Sequence, residues 1–381
     1  MLSAKPSKRV KKTKQLEIIL MKQMQILAQK GKARAGTLNT AHGKIETPFF
    51  MPVATKGSVK TLSHEEVLET GTQCLISNAF ILSLKPGMEV IEKFNGMHNF
   101  MNWKKGLFTD SGGFQVLSDE FCLKLDEEGV TFRNPYTGKK MMFSPETSIA
   151  IQNSLGSDVA MCLDDVPKAG ASKERVFESM QRTFEWAQRC KSAHKNKKQL
   201  LFGICQGGIY KEFRKKSIEQ INSIDFDGVA LGGLAIGEPL SKMFETIDYS
   251  IPFLPEEKTR YLMGVGSVKE IVKSVARGID CFDSAFPTRT ARHGKAYTSK
   301  GDININSATF KFDKKPLDEK CDCMVCKNYS KSYIHHLFRT REENSQKWLT
   351  FHNLYFLQNL MKQMREDIIS GKFSEKKYLK S

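Results

Sequence analysis

The sequence predicts an α/β fold, a (β/α)8 TIM barrel that carries a C-terminal zinc-binding subdomain. Three observations support this prediction. Eight short apolar runs of strand type recur along the 381 residues, segments with helix signals lie between several of them, and three cysteines cluster near the C-terminus. Strands that alternate with helices are typical of a parallel sheet, and eight such units favour a closed barrel.

Each predicted strand is a short apolar run that ends at a polar or glycine-rich turn. In chain order the runs are TPFFMPVA, QCLISNAF, GLFTDSGG, DVAMCLDDV, LLFGICQGG, GVALGGLA, YLMGVGS and IDCFDSAF. Three segments between them have helix start and stop signals. These segments begin at a capping box of Ser63 and Glu66, at Ser144 and Pro145 with a stop at Gly156, and at Ser267 with a stop at Gly278.

Composition indicates the kind of partner and suggests three parts of the chain. The 59 lysines and arginines exceed the 42 acidic residues and give a formal net charge of +17. This excess favours a polyanionic partner, either nucleic acid or an acidic membrane surface.

Three parts of the chain are predicted. Residues 1–24 would be a basic, flexible leader and residues 25–310 the barrel. Residues 311–381 would form the zinc-binding subdomain and C-terminal helices packed on the barrel.

No targeting segment is evident. The leader lacks the apolar stretch of a secretory signal, and its run LEIIL is too short to span a bilayer. Nine cysteines in a chain without an export signal favour a reducing compartment, where clustered cysteines bind metal or catalyse more often than they form disulfides. We therefore expect a cytoplasmic protein without a structural disulfide and without membrane association.

Four polar residues end different apolar runs: Asp110, Asp164, Gln206 and Asp283. In a barrel all four would lie at the carboxyl rim of the strands, where active sites are built. Each residue alone has a structural interpretation, as a turn former, part of a solvated loop or a helix cap. Four such residues at equivalent ends of different strands favour a functional site instead.

A pair of carboxylates at one rim can divide the roles of nucleophile and proton carrier. One stays ionised while the other has a raised pKa, as in retaining glycosidases. Asp110 and Asp283 are the candidates. Asp164 and Gln206 suit another role, because a carboxylate and an amide together match the donor and acceptor edge of a purine-like base. Glycines in QGG and LGGLAIG would let the backbone approach a flat ligand, although such turns also serve as plain barrel connections.

The cluster CDCMVCK contains Cys321, Cys323 and Cys326. A structural zinc site needs a fourth ligand in tetrahedral geometry, and the downstream candidates are His335, His336 and His352. A disulfide or buried inert thiols are the alternative interpretation. Three cysteines at this spacing favour structural zinc.

The motifs TDSGGFQV, CLDDVP, GICQGG, LGGLAIGE, YLMGVGS and FDSAFPTRTARHG, with CxCxxC followed by the histidine of FHNL, resemble the signatures of tRNA-guanine transglycosylases. The resemblance runs from about Gln25 to the C-terminal helix and is closest to the bacterial-type single chain. It implies a pentosyltransferase that exchanges guanine at the anticodon wobble position for a 7-deazaguanine base in queuosine biosynthesis. The implied substrates are the tRNAs with GUN anticodons, for Asp, Asn, His and Tyr.

The resemblance also implies roles for individual residues. Asp283 would be the nucleophile that forms a covalent aspartyl–ribose intermediate, and Asp110 the general acid and base. The base would contact Ser111, Asp164, Gln206 and the backbone of Gly233 and Leu234, between Phe114 and Met263. Arg289 and Arg292 would bind phosphates of tRNA. One structural Zn²⁺ per subunit would be held by Cys321, Cys323, Cys326 and His352. No phosphate loop of the Walker type is evident, so no nucleotide cofactor is expected.

Two positions give conflicting indications of the incoming base. Val166 stands where bacterial enzymes have cysteine and the eukaryotic catalytic subunit has valine, whereas Ile236 is bulky like the bacterial residue. A branched side chain excludes volume directly, so Ile236 favours 7-aminomethyl-7-deazaguanine (preQ1), with queuine as the alternative. A homodimer is expected from the resemblance. Other hypotheses are a non-catalytic RNA-binding partner subunit, an archaeal-type enzyme acting on the tRNA D-loop, and a barrel enzyme acting on a small acidic metabolite.

Overall fold

The structure is a computed structural model that describes residues 23–379, so all but the end of the predicted leader lies outside the described residues. Sixteen strands are present in this part of the chain. They are β1 (Met24–Lys30), β2 (Ala33–Thr40), β3 (Gly43–Thr47), β4 (Phe49–Pro52), β5 (Cys74–Asn78), β6 (Gly106–Asp110), β7 (Cys122–Leu125), β8 (Val130–Arg133), β9 (Lys140–Phe143), β10 (Val159–Met161), β11 (Leu200–Cys205), β12 (Gly228–Leu231), β13 (Thr259–Leu262), β14 (Cys281–Ser284), β15 (Lys295–Ala296) and β16 (Ile303–Asn304).

Fifteen α-helices accompany these strands between residues 23 and 379. They are α1 (His64–Glu69), α2 (Ala79–Leu82), α3 (Met88–Lys93), α4 (Met97–Met101), α5 (Gly113–Val116), α6 (Pro145–Leu155), α7 (Lys173–Ala193), α8 (Lys211–Ser223), α9 (Leu240–Ser250), α10 (Val268–Val275), α11 (Phe286–Arg292), α12 (Met324–Asn328), α13 (Lys331–Arg339), α14 (Glu343–Ile369) and α15 (Glu375–Tyr378). A π-turn at Ser83–Gly87 and 3-10 turns at Ile251–Phe253 and Ala308–Phe310 complete the helical segments.

Eight parallel strands form the barrel in the order β4-β14-β13-β12-β11-β10-β6-β5. A parallel bridge between Val53 and Ile76 joins the two ends of this sheet, and the N–H of Ala54 donates to the Ile76 carbonyl at 2.7 Å. All eight predicted apolar runs supply these strands, so the predicted α/β barrel is confirmed. Inside it, the Phe108 ring meets Phe202 and Tyr261 edge to face at centroid distances of 5.6 and 6.1 Å.

The predicted helix signals act where expected, with one difference in length. The Ser63 hydroxyl accepts from the Glu66 N–H while the Glu66 carboxylate accepts from the Ser63 N–H, which is the predicted capping box. Helix α6 runs from Pro145 to Leu155 with Gly156 as its left-handed C-cap. Helix α10 ends at Val275, three residues before Gly278, which turns the chain towards β14 with φ of +95°.

Three antiparallel sheets of the described residues were not predicted. Strands β1–β3 form the first, β7–β9 the second, and β15 and β16 a two-stranded third. The first is fastened to the barrel by Arg34, whose Nε donates to Asp280 Oδ1 at 2.8 Å and whose Nη1 donates to the Glu256 carbonyl at 2.6 Å. Arg34 and Asp280 are both fully buried, so this ion pair is a fixed part of the amino-terminal end of the barrel.

Asp158 organises the same end of the barrel from its position directly before β10. Its Oδ1 accepts from the backbone N–H of His42 at 3.0 Å, and its Oδ2 accepts from the N–H of Leu107 at 2.9 Å. The imidazoles of His42 and His98 contact the same carboxylate and stack on each other at a centroid distance of 3.4 Å. Because both carboxylate oxygens already accept backbone N–H groups, we interpret this cluster as a structural tie between the β2–β3 turn and the barrel.

Helix α14 packs along the barrel and the segments that precede it. The Gln358 amide donates to the Phe50 carbonyl at 3.1 Å, and the Arg365 guanidinium donates to the Pro48 carbonyl at 2.7 Å. Within residues 23–379 no helix is long and apolar enough to cross a membrane. All nine cysteines are unpaired thiols.

Candidate active site and metal centre

The four predicted rim residues lie at the carboxyl ends of four barrel strands. Asp110 is the last residue of β6, and Asp283 is the next-to-last residue of β14. Gln206 follows β11 directly, and Asp164 comes three residues after β10. The barrel therefore brings these four side chains to one rim. Asn78, the last residue of β5, lies at the same rim opposite Asp110 in the strand register.

Asp283 has one oxygen that is held by two donors. The Tyr261 hydroxyl donates to Oδ1 at 2.6 Å, and the N–H of Gly264 donates to the same atom at 2.9 Å. Oδ2 accepts from no other residue in the described part of the chain. Burial raises the pKa of Asp283 above the ordinary carboxyl value, while the two hydrogen bonds oppose that increase. The side chain is thus a fixed carboxylate with one free oxygen.

Asp110 is suited to carry a proton. Burial, and secondarily the charge of Asp283, raises the pKa of Asp110 to about 7. The Asn78 amide donates to Oδ2 at 3.1 Å, and the N–H of Gly112 donates to Oδ1 at 3.1 Å. A carboxyl group with this pKa exists in both protonation states near neutral pH, as general acid–base catalysis requires.

Asp164 and Gln206 form a buried polar pair. The Gln206 Nε2 donates to Asp164 Oδ2 at 2.7 Å, and burial raises the pKa of Asp164 to about 7. Gln206 Oε1 is buried and has no partner between residues 23 and 379. A buried acceptor without a donor is costly, so this atom is available to a ligand.

The loop after β12 needs glycine because it passes directly over Gln206. A Cβ on Gly233 would lie 2.3 Å from Gln206 Oε1, and one on Gly232 would lie 2.8 Å from Gln206 Nε2. Both glycines therefore let the backbone contact the Asp164–Gln206 pair. The backbone N–H groups of Gly233 and Leu234 donate to no acceptor within residues 23–379.

The remaining predicted base contacts follow β6 and β13, at the same rim of the barrel. Phe114 is 63% exposed on α5, and Met263 is half-buried directly after β13. Ser111 is buried, and its hydroxyl accepts from the N–H of Gly113 at 3.2 Å. Val166 and Ile236 are both half-buried, on the loops after β10 and β12.

Arg289 and Arg292 lie on α11, which begins three residues after Asp283. Arg289 is exposed, and Arg292 donates to the Thr288 carbonyl at 2.8 Å. In the described structure neither guanidinium lies within ion-pair distance of a carboxylate. Both positive charges are therefore available to an anionic ligand.

Asp165, which follows Asp164 in the chain, has a structural role. It is fully buried and accepts hydrogen bonds from Arg175 at 2.7 Å and Arg182 at 2.6 Å, both on α7. The Ser179 hydroxyl also donates to its carbonyl at 2.5 Å. The interpretation of Asp164 and Asp165 as a solvated loop is thus wrong, because α7 covers one carboxylate and the barrel rim buries the other.

A second group of side chains can hold a metal ion. The ligand atoms of Cys321, Cys323, Cys326 and His352 lie within 4.8 Å of one another. His352 Nδ1 is 3.8, 3.5 and 3.4 Å from the three sulfur atoms, in the same order. Tetrahedral coordination with metal–sulfur and metal–nitrogen bonds typical of zinc would separate sulfur and nitrogen by about 3.5 Å, so the spacing fits.

The neighbours of His352 orient it for metal binding. Its Nε2 lies 2.7 Å from the Tyr297 carbonyl, which requires a proton on Nε2 and leaves the Nδ1 lone pair for the metal. His335 instead contacts the Ile305 carbonyl at 2.7 Å, and His336 is not among the clustered ligands. The tertiary structure therefore selects one of the three histidine candidates.

Several site residues escaped the sequence analysis. Asn78 is a polar residue at the end of a predicted strand, like the four rim residues, so the same pattern could have identified it. Tyr261 lies inside a strand and Gly264 donates through its backbone, so neither has a local signal. Arg214 lies on α8, and it contacts the glycine loops only through tertiary folding.

A sequence model of the family described as queuine tRNA-ribosyltransferase matches residues 29–379. The chain belongs to the queuine tRNA-ribosyltransferase family. This membership confirms the resemblance to tRNA-guanine transglycosylases and the prediction of a pentosyltransferase enzyme.

Curated queuine tRNA-ribosyltransferases are similar to the chain over almost their whole length. The chain is 49% identical over 348 residues to the enzyme of Fusobacterium nucleatum, covering 91% of this chain and 93% of that one. It is 46% identical over 350 residues to the enzyme of Francisella tularensis subsp. novicida, covering 92% and 95%. It is 49% identical over 347 residues to the enzyme of Thermotoga maritima, covering 91% and 94%.

Proposed function

We propose that this enzyme exchanges guanine at the anticodon wobble position of GUN tRNAs for a 7-deazaguanine base. The observation that carries the proposal is the pairing of two unlike carboxylates at one rim. Asp283 is fixed by two donors on one oxygen, and the pKa of Asp110 is raised to about 7. This division of labour suits displacement at an anomeric carbon.

The proposed reaction has two displacements at the ribose C1′. Asp283 Oδ2 forms a bond to C1′ as the bond to N9 of guanine breaks, and protonated Asp110 supplies a proton to the leaving base. The incoming base then loses its N9 proton to Asp110, and its nitrogen displaces Asp283. The covalent aspartyl–ribose intermediate conserves the energy of the glycosidic bond, so no nucleotide cofactor is required.

The base would be recognised at the Asp164–Gln206 pair. The Asp164 carboxylate would accept from N–H groups of the base, and the unpartnered Gln206 Oε1 would accept a further one. The free N–H groups of Gly233 and Leu234 would donate to the carbonyl oxygen of the base. We propose that Phe114 and Met263 flank the two faces of the base, and that Ser111 lines the same pocket.

The tRNA would be positioned by Arg289 and Arg292, whose unpaired charges lie on α11, and this helix begins three residues after the proposed nucleophile Asp283. The proposed substrates are the tRNAs for Asp, Asn, His and Tyr. Their wobble base would flip out of the anticodon loop and so reach the site.

We further propose a cytoplasmic homodimer with one structural Zn²⁺ per subunit, held by the Cys321, Cys323, Cys326 and His352 cluster. When bound, zinc would stabilise the fold of this subdomain.

For the incoming base we propose preQ1, with queuine as the second candidate. The supporting observation is that Ile236 places a half-buried branched side chain two residues after Leu234. A bulky group at this point would exclude the larger substituent of queuine.

Base exchange tests the proposal. Purified enzyme is given GUN tRNA with labelled wobble guanine and is challenged separately with preQ1 and queuine. We expect label release with preQ1, none from Asp283→Ala, and full release from Asp248→Ala, a control at a half-exposed carboxylate on α9. Binding of tRNA by the wild type without release with either base would contradict catalysis and favour a non-catalytic partner subunit.

A further inference from the structure

Arg214 is a fully buried arginine that lies beneath the two glycine loops of the rim. We propose that Arg214 is a positioning residue for the base: its guanidinium holds the loops that carry Gln206 and the Gly233–Leu234 peptide in the geometry that receives the base. This inference rests on the proposed function and adds a residue that does not itself touch substrate.

The guanidinium contacts four backbone carbonyls. Its Nε donates to Gly208 at 2.6 Å and its Nη1 to Cys205 at 2.9 Å, on either side of Gln206. Its Nη2 donates to Gly232 at 2.7 Å and to Gly233 at 3.3 Å. The loop after β11 and the loop after β12 are therefore held by one rigid group.

These contacts also fix the direction of the backbone donors. In a trans peptide the carbonyl and the following N–H point in opposite directions. The Gly232 and Gly233 carbonyls point towards Arg214, so the N–H groups of Gly233 and Leu234 point away from it. Neither N–H has an acceptor in residues 23–379, and the unpartnered Gln206 Oε1 lies beside the same loop. Arg214 thus presents the polar groups that we assign to base recognition.

The partners of Arg214 argue against a role in stability alone. A buried charge without an opposite charge is expensive, and apolar residues of similar volume often replace such groups without loss of stability. Arg214 has no carboxylate partner among the described residues, and burial lowers its pKa to about 10. Arg34, equally buried at the opposite end of the barrel, pairs with Asp280. Arg34 therefore serves as the matched control.

Arg214→Lys tests the inference, because one ammonium cannot span four carbonyls in two loops. We expect the KM of the incoming base to rise by about tenfold to hundredfold. Loss of a charge-assisted hydrogen bond changes a binding constant by about this factor. The Kd for tRNA, which depends mainly on phosphate contacts, should change less than about twofold. Arg214→Gln removes the charge as well and should raise the same KM.

Arg34→Lys should lower the melting temperature and leave the KM of the base unchanged. The inference is overturned if both Arg214 variants exchange bases with wild-type KM, or if Arg34→Lys raises that KM equally. It is also overturned if the rise in KM is matched by an equal loss of tRNA affinity in the Arg214 variants, since that pattern indicates general loss of structure. A wild type that releases no guanine contradicts the proposed function itself, and this outcome is distinct from a change confined to the variants.

Discussion

The Tyr261 hydroxyl donates a 2.6 Å hydrogen bond to Oδ1 of Asp283, the same oxygen that receives the Gly264 N–H at 2.9 Å. The two carboxylate oxygens are therefore unequal. Oδ1 is held by the barrel, and Oδ2 is free to form a bond. This asymmetry fixes the direction from which a nucleophilic carboxylate could approach a ribose.

Tyr261→Phe should shift the acidic limb of the pH–rate profile to higher pH. The hydroxyl stabilises the ionised form of Asp283, so its removal raises the pKa of that carboxyl further and leaves less of it ionised below neutrality. We expect about a tenfold fall in single-turnover rate at pH 6 and a smaller fall at pH 8. An equal loss at every pH would contradict this account. Tyr249→Phe, on α9, is the control and should behave as wild type.

The rate of guanine release should report the pKa of Asp110, which is about 7. Departure of the base needs protonated Asp110, so the rate at saturating tRNA should fall about tenfold per pH unit above this value. Asp110→Asn cannot deliver the proton and should be slower by about 10²- to 10⁴-fold, with this limb of the profile missing. Rapid-quench measurement of labelled guanine tests both points. A variant that keeps the limb would assign it to another group, such as Asp164.

Replacement of Ile236 should change the choice of incoming base. Ile236→Gly removes a half-buried branched side chain next to the proposed base site. We expect queuine to become a substrate, with kcat/KM for queuine rising at least tenfold relative to that for preQ1. Val166→Cys exchanges side chains of similar size and should leave the ratio unchanged. Equal use of both bases by the wild type would remove the basis for assigning selectivity to Ile236.

The metal cluster should support tRNA binding through Asn353, the neighbour of its histidine ligand. Asn353 holds α11, the helix that carries Arg289 and Arg292. Asn353 follows His352 and donates to the carbonyls of Pro287, on α11, at 3.2 Å and Lys295 at 3.0 Å. Cys323→Ser should lose the bound zinc, unfold at lower temperature and bind tRNA more weakly. Metal analysis of the wild type should find one zinc per chain. Cys122→Ser, outside the cluster, should keep all three properties.

Asp158→Asn should lower stability without affecting exchange, because the cluster lies at the amino-terminal end of the barrel. Burial would raise the pKa of Asp158, but hydrogen bonds from His42 and His98 outweigh burial and hold it well below its usual range. The resulting stability is present above the unfolded carboxyl value of about 3.9 and is lost as pH falls through the folded value. At pH 6 the variant should unfold about 2 to 3 kcal/mol more easily, and the difference should shrink in acid. Denaturant titration of wild type and variant at pH 6 and in acid tests this prediction. A difference in unfolding free energy that grows in acid would contradict it.

The sequence by itself determined the barrel, the four rim residues and the cysteine cluster of this protein. Those features are local: an apolar run is readable within a few residues, and the end of each run places Asp110, Asp164, Gln206 and Asp283 on one rim. Helix signals such as the Ser63–Glu66 capping box also operate within one turn.

Tertiary structure decided the rest, because it depends on contacts between segments that are distant in the chain. The choice of His352 among three histidines follows from the packing of α14, and the roles of Tyr261 and Arg214 follow from closure of the barrel. The raised pKa of Asp110 likewise arises from burial and from Asp283, which only the closed barrel brings to the same rim. Local pattern specifies which groups are available, and closure specifies their partners and their charge.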